Sequence, residues 1–585
     1  MSIKKYSAER NVQIVIGLLK VNNIRKVVAS PGATNVSLVA SMQSDSFFEM
    51  YSVVDERSAA YFACGLSEES NEPVVLSCTG ATSSRDYMPG LTEAFYAKLP
   101  ILAITSSMTT SHVGHLFAQS TDRSAPPKDV VVKSFALQPV KDADDEWDCT
   151  MKVNKAISYL SMNGGGPVHL DLTTRFSMDF LVEQIPIVRN IQRIDAEDIF
   201  PSLPKGRVAI FIGSFHKWSP QLIAAIDIFC ATHNAVVLCD HTSGYQGKYR
   251  ILSALYAAQE KYNHELLQVD LLIHMGEISG DYYTIGALHP KEVWRVNEDG
   301  EIRDRFQSLT YVFKMKSTTF FEHYSKDGVA KDDSLLFAFK KKIDLIRSQI
   351  PELPFSNIWI AAQMAPRIPK CAIVHLGILQ SLRSWNFFET DSSVRLHSNV
   401  GGFGIDGNFS TLVGASLVNP DKLYFGILGD LSFFYDLNII GNRHLSNNIR
   451  LLVINNGKGL EFRTYKHRAS IFGEDTDKYI AAAGHNGNQS TDLVKHMAQD
   501  LGFHYLTANC KASFKNVIPD FVNPQLGNTP IIFEVFTNTD DEVESLRLLQ
   551  NTLVDNHFVA KQKLKSSMRS IIGSQTISTI KKILK

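Results

Sequence analysis

The sequence predicts an α/β protein built from three doubly wound parallel-sheet domains and closed by a basic helical tail. Three observations carry this. Short apolar runs alternate with longer helical stretches, the pattern of strand–helix–strand units around a parallel sheet. The alternation restarts twice, after a polar stretch near 186–203 and after a charged helical segment around 332–350. Each repeat spans about 150 to 190 residues, the ordinary size of one domain.

The elements follow in order. Residues 1–185 give strands at KVVAS, FEMYSVV, PVVLSC, PILAITS and GPVHLDL, separated by helical stretches such as RNVQIVIGLLKVNN and ERSAAYFACGLSEES. Residues 195–345 form a central α/β domain with strands at GRVAIFIGS, NAVVLCD, DLLIHMG and EVWRVN. Its GSFHKWSP turn lacks a tight glycine-rich phosphate loop, so this domain is expected to be structural and empty. Residues 350–545 carry strands at CAIVHLG, VRLHSN, KLYFGILGD, IRLLVINN and TPIIFEVF. Residues 546–585 form the tail, in which Lys561, Lys563, Lys565, Arg569, Lys581, Lys582 and Lys585 accompany Leu564, Met568, Ile571 and Ile572 at helical spacing, then Ile577, Ile580 and Leu584. Such a face can rest weakly on an anionic membrane or pack on the enzyme's own dimer, and Gly573 divides it into two short helices.

Composition excludes several classes. Of 585 residues, 44% are hydrophobic and 20% charged, which suits a large globular protein. Lys plus Arg (59) nearly cancels Asp plus Glu (60), so no global charge points to nucleic acid. Seven cysteines with no CxxC pair suggest reduced thiols and no disulfide framework. No secretory leader and no apolar run of about 18 residues is present, so a cytoplasmic location is expected.

The chemistry concentrates in the third domain. In an open parallel sheet, ligands bind beyond the carboxyl ends of the strands. Gly429-Asp430 and Asn455-Asn456 stand at two such ends. A carboxylate, an amide oxygen and a backbone carbonyl are hard ligands suited to Mg²⁺ or Ca²⁺, and a metal held this way usually bridges to phosphates. Upstream, glycines 401, 402, 404 and 407 precede a helical run, so backbone N–H groups can approach a diphosphate. Taken singly, each piece has a plainer reading. A Gly-Asp at a strand end makes a turn or helix cap, Glu56 in DERSA suits a helix N-terminus, and Ile405 suits a core. His112, His115 and Gln119, in SHVGHLFAQST, suit an exposed loop, although a histidine there can also move protons near neutral pH.

The phrase GDLSFFYDLN, followed 25 residues after Asp430 by Asn-Asn, resembles the diphosphate and metal motif of the thiamine diphosphate-dependent enzymes, of the pyruvate decarboxylase and acetolactate synthase kind. Leu431 replaces the motif's second glycine. That replacement, with GIDGNFST, looks most like the menaquinone-pathway synthases that join a succinyl semialdehyde unit from 2-oxoglutarate to isochorismate. VVDERSAAYFACGLSEESNEPVVLSCTGA is similar to the family's pyrimidine-binding stretch, and the resemblance covers roughly residues 10–545.

The resemblance implies thiamine diphosphate and Mg²⁺ as cofactors. Asp430, Asn456 and the backbone carbonyl of Lys458 would hold the metal. Gly402, Gly404, Ile405, Gly429, Leu431 and Ser432 would line the cofactor, with bulky Ile405 forcing its two rings together. Glu56 would hold the aminopyrimidine in the form whose nitrogen removes the thiazolium C2 proton, with Gln119 and His115 as further catalytic candidates. The segment LEFRTYKHRAS, 460–470, falls where the family folds a lid. The family shares each site between two chains, which implies a homodimer or homotetramer.

The implied activity is decarboxylation of a 2-oxo acid, with the remaining acyl unit passed to a proton or an acceptor carbonyl. Two departures bear on the substrate. The menaquinone synthases carry PGSR where this chain reads Pro31-Gly32-Ala33-Thr34, and Asn-Arg-Gly where it reads Asn399-Val400-Gly401. Loss of two guanidinium groups able to clamp a carboxylate favours a small donor such as pyruvate. A diverged menaquinone synthase and a non-catalytic cofactor-binding subunit are the alternatives.

Overall fold

A computed structural model describes residues 5–326, 332–486 and 489–560. The tail residues 561–585, including most of the basic amphipathic pattern, lie outside the described residues. The chain divides into two compact units, Met1–Phe200 with Glu298–Met315, and Pro201–Asn297 with Lys316–Lys585.

The strands, in chain order, are β1 (Lys26–Ala29), β2 (Glu49–Ser52), β3 (Val74–Thr79), β4 (Ile101–Ser107), β5 (Lys133–Leu137), β6 (Val168–Thr173), β7 (Gln192–Asp195), β8 (Val208–Ile212), β9 (Val236–Cys239), β10 (Arg250–Leu252), β11 (Leu271–Met275), β12 (Glu292–Asn297), β13 (Leu309–Lys314), β14 (Ile373–Leu376), β15 (Arg395–His397), β16 (Tyr424–Gly429), β17 (Ile449–Asn455), β18 (His504–Ala508) and β19 (Ile531–Phe536). Their order defines three parallel sheets, as the alternation of apolar and helical stretches predicts.

The first unit holds β2-β1-β3-β4-β6-β5 and a parallel β13–β7 pair. Every residue of β4 is buried, because a central parallel strand covered by helices on both faces must read as a continuous apolar run. Helices Arg10–Val21 and Ala143–Tyr159 cover one face, through Val12, Val15, Leu19 and Val153. Helices Glu56–Ser70 and Met88–Ala97 cover the other, through Ala59, Ala63, Leu91 and Ala94. Edge strand β2 is the least buried of the six, with no fully buried residue.

The second unit contains β10-β9-β8-β11-β12 and the sheet β15-β14-β16-β17-β19-β18. In the latter, β14 pairs with β15 on one side and β16 on the other. The winding therefore reverses between β14 and β16, which opens a crevice beyond their carboxyl ends. All seven residues of β17 are buried, and Leu412, Leu428, Phe433, Leu451, Val453 and Ile532 form the core beside it.

Among the described residues, no helix is long and apolar enough to cross a membrane. All seven cysteines are free, five of them buried.

Candidate active site

The crevice at the winding reversal is a pocket of about 180 Å³, lined by the residues that follow three neighbouring strands. Ile378 to Ser381 follow β14, Gly429 to Ser432 follow β16, and Asn456 with Lys458 to Phe462 follow β17. Asn357, Ile405 and Ile454 complete the wall. Of the residues singled out in the sequence, Ile405, Gly429, Asp430, Leu431, Ser432, Asn456 and Lys458 are thus brought together.

Asp430 opens the short helix Asp430–Tyr435 and is only 5% exposed. Among the described residues, no Lys, Arg or His forms an ion pair with it. Burial drives its carboxyl up to about 7, against the opposing pull of backbone N–H groups of Leu431 and Gly457. The Gly457 contact ties the loop after β17 to the end of β16. That turn needs glycine, because Gly457 sits at φ +75°.

Hydrogen bonds fix Ile405 against the same helix. The Ser432 hydroxyl donates to the Ile405 carbonyl at 2.8 Å, and the Asn408 amide donates to that carbonyl at 3.1 Å and to the Ser432 hydroxyl at 2.9 Å. Asp436 then accepts from the Ser410 backbone N–H at 2.6 Å and from its hydroxyl at 2.5 Å. The GIDGNFS and GDLSFFYD phrases are therefore one bonded unit.

The donor set fits a hard divalent cation and a phosphate. A nearly buried, unpaired carboxylate is stable only if it is protonated or met by positive charge. Asp430 supplies such a carboxylate, while Asn456 and the Lys458 carbonyl supply neutral oxygens from the adjoining loop. Among the described residues, the Asn456 Oδ1 accepts a single long 3.4 Å contact, from the Lys458 N–H. Among the described residues no three His, Cys, Asp or Glu side chains could hold a metal.

Other predicted residues lie elsewhere. Gly402 and Gly404 are outside this lining. Glu56 is half-buried in the first unit, at the first turn of the helix Glu56–Ser70. Asp55 caps that helix, its carboxylate accepting from the Ser58 N–H at 2.7 Å. His115 and Gln119 are exposed on the loop between β4 and β5, Gln119 with φ +61°. On the same loop His112 stacks on Phe117, ring centroids 3.8 Å apart.

Several lining residues carry no sequence signal. Leu379 adopts φ +66°, a conformation costly for a branched side chain and concentrated at ligand-binding turns. Asn357 starts a helix whose first N–H donates to both carboxylate oxygens of buried Glu542 at 3.0 Å. Burial raises the Glu542 carboxyl to about 7. Glu461 accepts from Arg383 at 2.5 Å and from Gln380 at 3.1 Å. The motif order does not reach Asn357 or Leu379, whereas Glu461 falls in the 460–470 segment that the resemblance marks as a lid.

Residues 10–125 match the family model for the thiamine pyrophosphate enzyme N-terminal TPP binding domain. The chain is 27% identical over 565 residues to a 2-succinyl-5-enolpyruvyl-6-hydroxy-3-cyclohexene-1-carboxylate synthase of Bacteroides thetaiotaomicron, covering 93% of this chain and 98% of that one. Proteins of the same name from Bacteroides fragilis and Porphyromonas gingivalis are 26% and 27% identical, over 93% and 92% of this chain and 98% of each relative.

Proposed function

The chain belongs to the thiamine diphosphate-dependent enzymes, and on that premise we propose that it is a carbon–carbon bond-forming synthase. It would take the decarboxylated acyl unit of a 2-oxo acid and transfer it to an acceptor; its relatives are named as synthases of a succinyl-bearing product. The observation that carries the reading is the buried, unpaired Asp430 in one pocket with Asn456 and Ile405.

When bound, the cofactor supplies the carbon nucleophile and the electron sink for loss of CO₂. The residues of this chain bind, orient and exclude. Asp430, Asn456 and the Lys458 carbonyl would hold Mg²⁺, whose charge offsets both Asp430 and a diphosphate. Ile405, fixed through its carbonyl by Ser432 and Asn408, would help hold the cofactor. Ile378, Leu379, Leu431, Ile454 and Leu460 make the wall mostly apolar, which limits water at the reacting carbon. Glu56, Gln119 and His115 would come from a neighbouring subunit of a homodimer or homotetramer, with Glu56 holding or releasing a proton at an aminopyrimidine nitrogen.

The likeness over nearly the whole chain moves the menaquinone-type reaction, 2-oxoglutarate with isochorismate, ahead of a small-donor decarboxylase. A second reading, a pyruvate-sized donor, keeps support from two positions. The Thr34 hydroxyl is turned onto the Ser106 carbonyl at 2.5 Å, and Val400 is 3% exposed, so neither offers a carboxylate clamp. The test is CO₂ release from a panel of 2-oxo acids with thiamine diphosphate and Mg²⁺, with and without isochorismate, and NMR of the products. The proposal expects 2-oxoglutarate to be consumed with isochorismate into a carbon–carbon bonded product. Preferential turnover of pyruvate would install the second reading, and no CO₂ from any 2-oxo acid would sink both.

A further inference from the structure

The central sheet reaches the pocket through one short helix. Helix Gln380–Trp385 follows β14, and its first residues, Gln380 and Ser381, line the pocket. Its far end is held by a residue that follows a central strand. His241, just after β9 and 3% exposed, has its Nε2 at 3.0 Å from the carbonyl oxygens of both Trp385 and Phe388. Its backbone N–H donates to the Asn386 Oδ1 at 3.2 Å. A carbonyl oxygen only accepts, so Nε2 carries the proton and Nδ1 is left as an acceptor facing Arg250 at 3.5 Å. Burial, and then the Arg250 guanidinium, lowers the ring's pKa and keeps it neutral in this tautomer. Around this clamp Arg250 pairs with Glu389 at 2.5 Å, the Tyr283 and Phe387 rings lie 5.5 Å apart, and Gly280 leaves no room for a side chain against Leu382.

The anchorage matters because the helix starts from a strained turn. Leu379, at its N-cap, takes φ +66° and ψ −116°, the first central position of a type II′ turn, which glycine adopts far more readily than leucine. A residue in such a conformation keeps it only where its surroundings over-determine it. Two bonds tie the turn to the helix: the Leu382 N–H donates to the Gly377 carbonyl at 3.0 Å and the Arg383 N–H to the Leu379 carbonyl at 2.9 Å. The turn is therefore only as fixed as the helix, and the helix is fixed at its other end by His241.

We propose that His241 is a positioning residue for the pocket: by gripping the Trp385 and Phe388 carbonyls it holds helix Gln380–Trp385 in place, and so keeps the Leu379 turn in the shape that receives the cofactor. The inference rests on the reading of this pocket as the thiamine diphosphate site. It gives the central domain a task in a site that none of its residues line.

The test uses the full chain and reads thiamine diphosphate affinity by calorimetry with Mg²⁺, together with hydrogen exchange of residues 377–386 in the cofactor-free protein by mass spectrometry. His241→Leu removes the donor, and His241→Gln returns an N–H near the Nε2 position. His241→Leu is expected to weaken cofactor binding about tenfold, the scale of a buried carbonyl left unmet. It should also speed exchange over 377–386 by about tenfold, and His241→Gln should restore most of both. In the Leu379→Gly background, where the turn carries little strain, His241→Leu should weaken the cofactor by less than about twofold, a difference that a merely structural role would not produce. Wild-type affinity in His241→Leu, an equal loss in both backgrounds, or no recovery with His241→Gln overturns the proposal. Should His241→Leu fail to fold, Asn386→Ala, which removes the acceptor of the His241 N–H, takes its place and is judged by the first two outcomes. Failure of the underlying reading looks different: the wild type would then bind no thiamine diphosphate at all, and the proposal would fall with it even if exchange still quickened.

Discussion

Asp171 and Asp430 are both aspartates buried toward the carboxyl end of a parallel sheet, 6% and 5% exposed, yet their surroundings differ in kind. Asp171, on β6, is met by the Arg123 guanidinium at 3.0 and 3.2 Å and lies within hydrogen-bond reach of the Thr105 and Ser107 hydroxyls at 3.4 and 3.3 Å. Its charge is closed within the fold. Asp430 has backbone N–H groups but no cationic side chain among the described residues, and its carboxyl is pushed up to about 7. Burial is common to both; what differs is a built-in counter-charge, present at Asp171 and, among the described residues, lacking at Asp430.

Removing the unpaired carboxylate sharpens the contrast most. Asp430→Ala should abolish cofactor binding in calorimetry with Mg²⁺ while leaving the apo protein as stable as the wild type or slightly more so, because a costly buried carboxylate is gone. Cofactor binding at wild-type strength would dissolve the distinction.

Glu56→Gln addresses the first unit's contribution to chemistry. It should retain cofactor binding and lower the rate of cofactor C2 proton exchange by about 10²- to 10⁴-fold, the range of general acid–base effects. Mixing Glu56→Gln with Asp430→Ala subunits should recover part of the activity, if one site draws on two chains. Wild-type exchange in Glu56→Gln, or no recovery in verified mixed dimers, counts against the assignment.

The paired aspartate should behave oppositely to Asp430. Asp171→Ala leaves Arg123, also nearly buried, without its counter-charge, at a cost of about 3–5 kcal/mol. Urea unfolding measures it, and a loss below about 1 kcal/mol would mean that Arg123 finds water or another partner.

The smallest effect concerns pH. His375 and His397 are register partners on β14 and β15, with ring centroids 5.3 Å apart. Burial and their mutual proximity lower His375 to about 3, and burial with His216 and Arg395 nearby lowers His397 to about 4. Both folded values lie below the unfolded value near 6.5, so the unfolded chain binds more protons in between. Their contribution is fully present above pH 6.5 and falls as pH drops toward 4, by up to about 1.4 kcal/mol per pH unit for each imidazole. His397→Asn should flatten the fall in urea midpoint between pH 6.5 and 4.5; an unchanged slope would show that other groups set it.

The sequence by itself determined the alternation that builds parallel sheets, because an apolar strand covered on both faces leaves a local signature, as in PVVLSC and IRLLVIN. It also determined Gly429-Asp430 and Asn455-Asn456 as strand-end polar pairs, since each motif lies within one turn of chain. What only the tertiary structure decided depends on distant partners. Asn357 meets Glu542 across 185 positions, and Arg383 meets Glu461 across 78. Leu379 takes a left-handed backbone that its side chain would never announce. Whether Asp430 meets a counter-charge was likewise decided by what surrounds it: among the described residues no cation pairs with it, a property of the packed pocket that no local pattern of residues encodes.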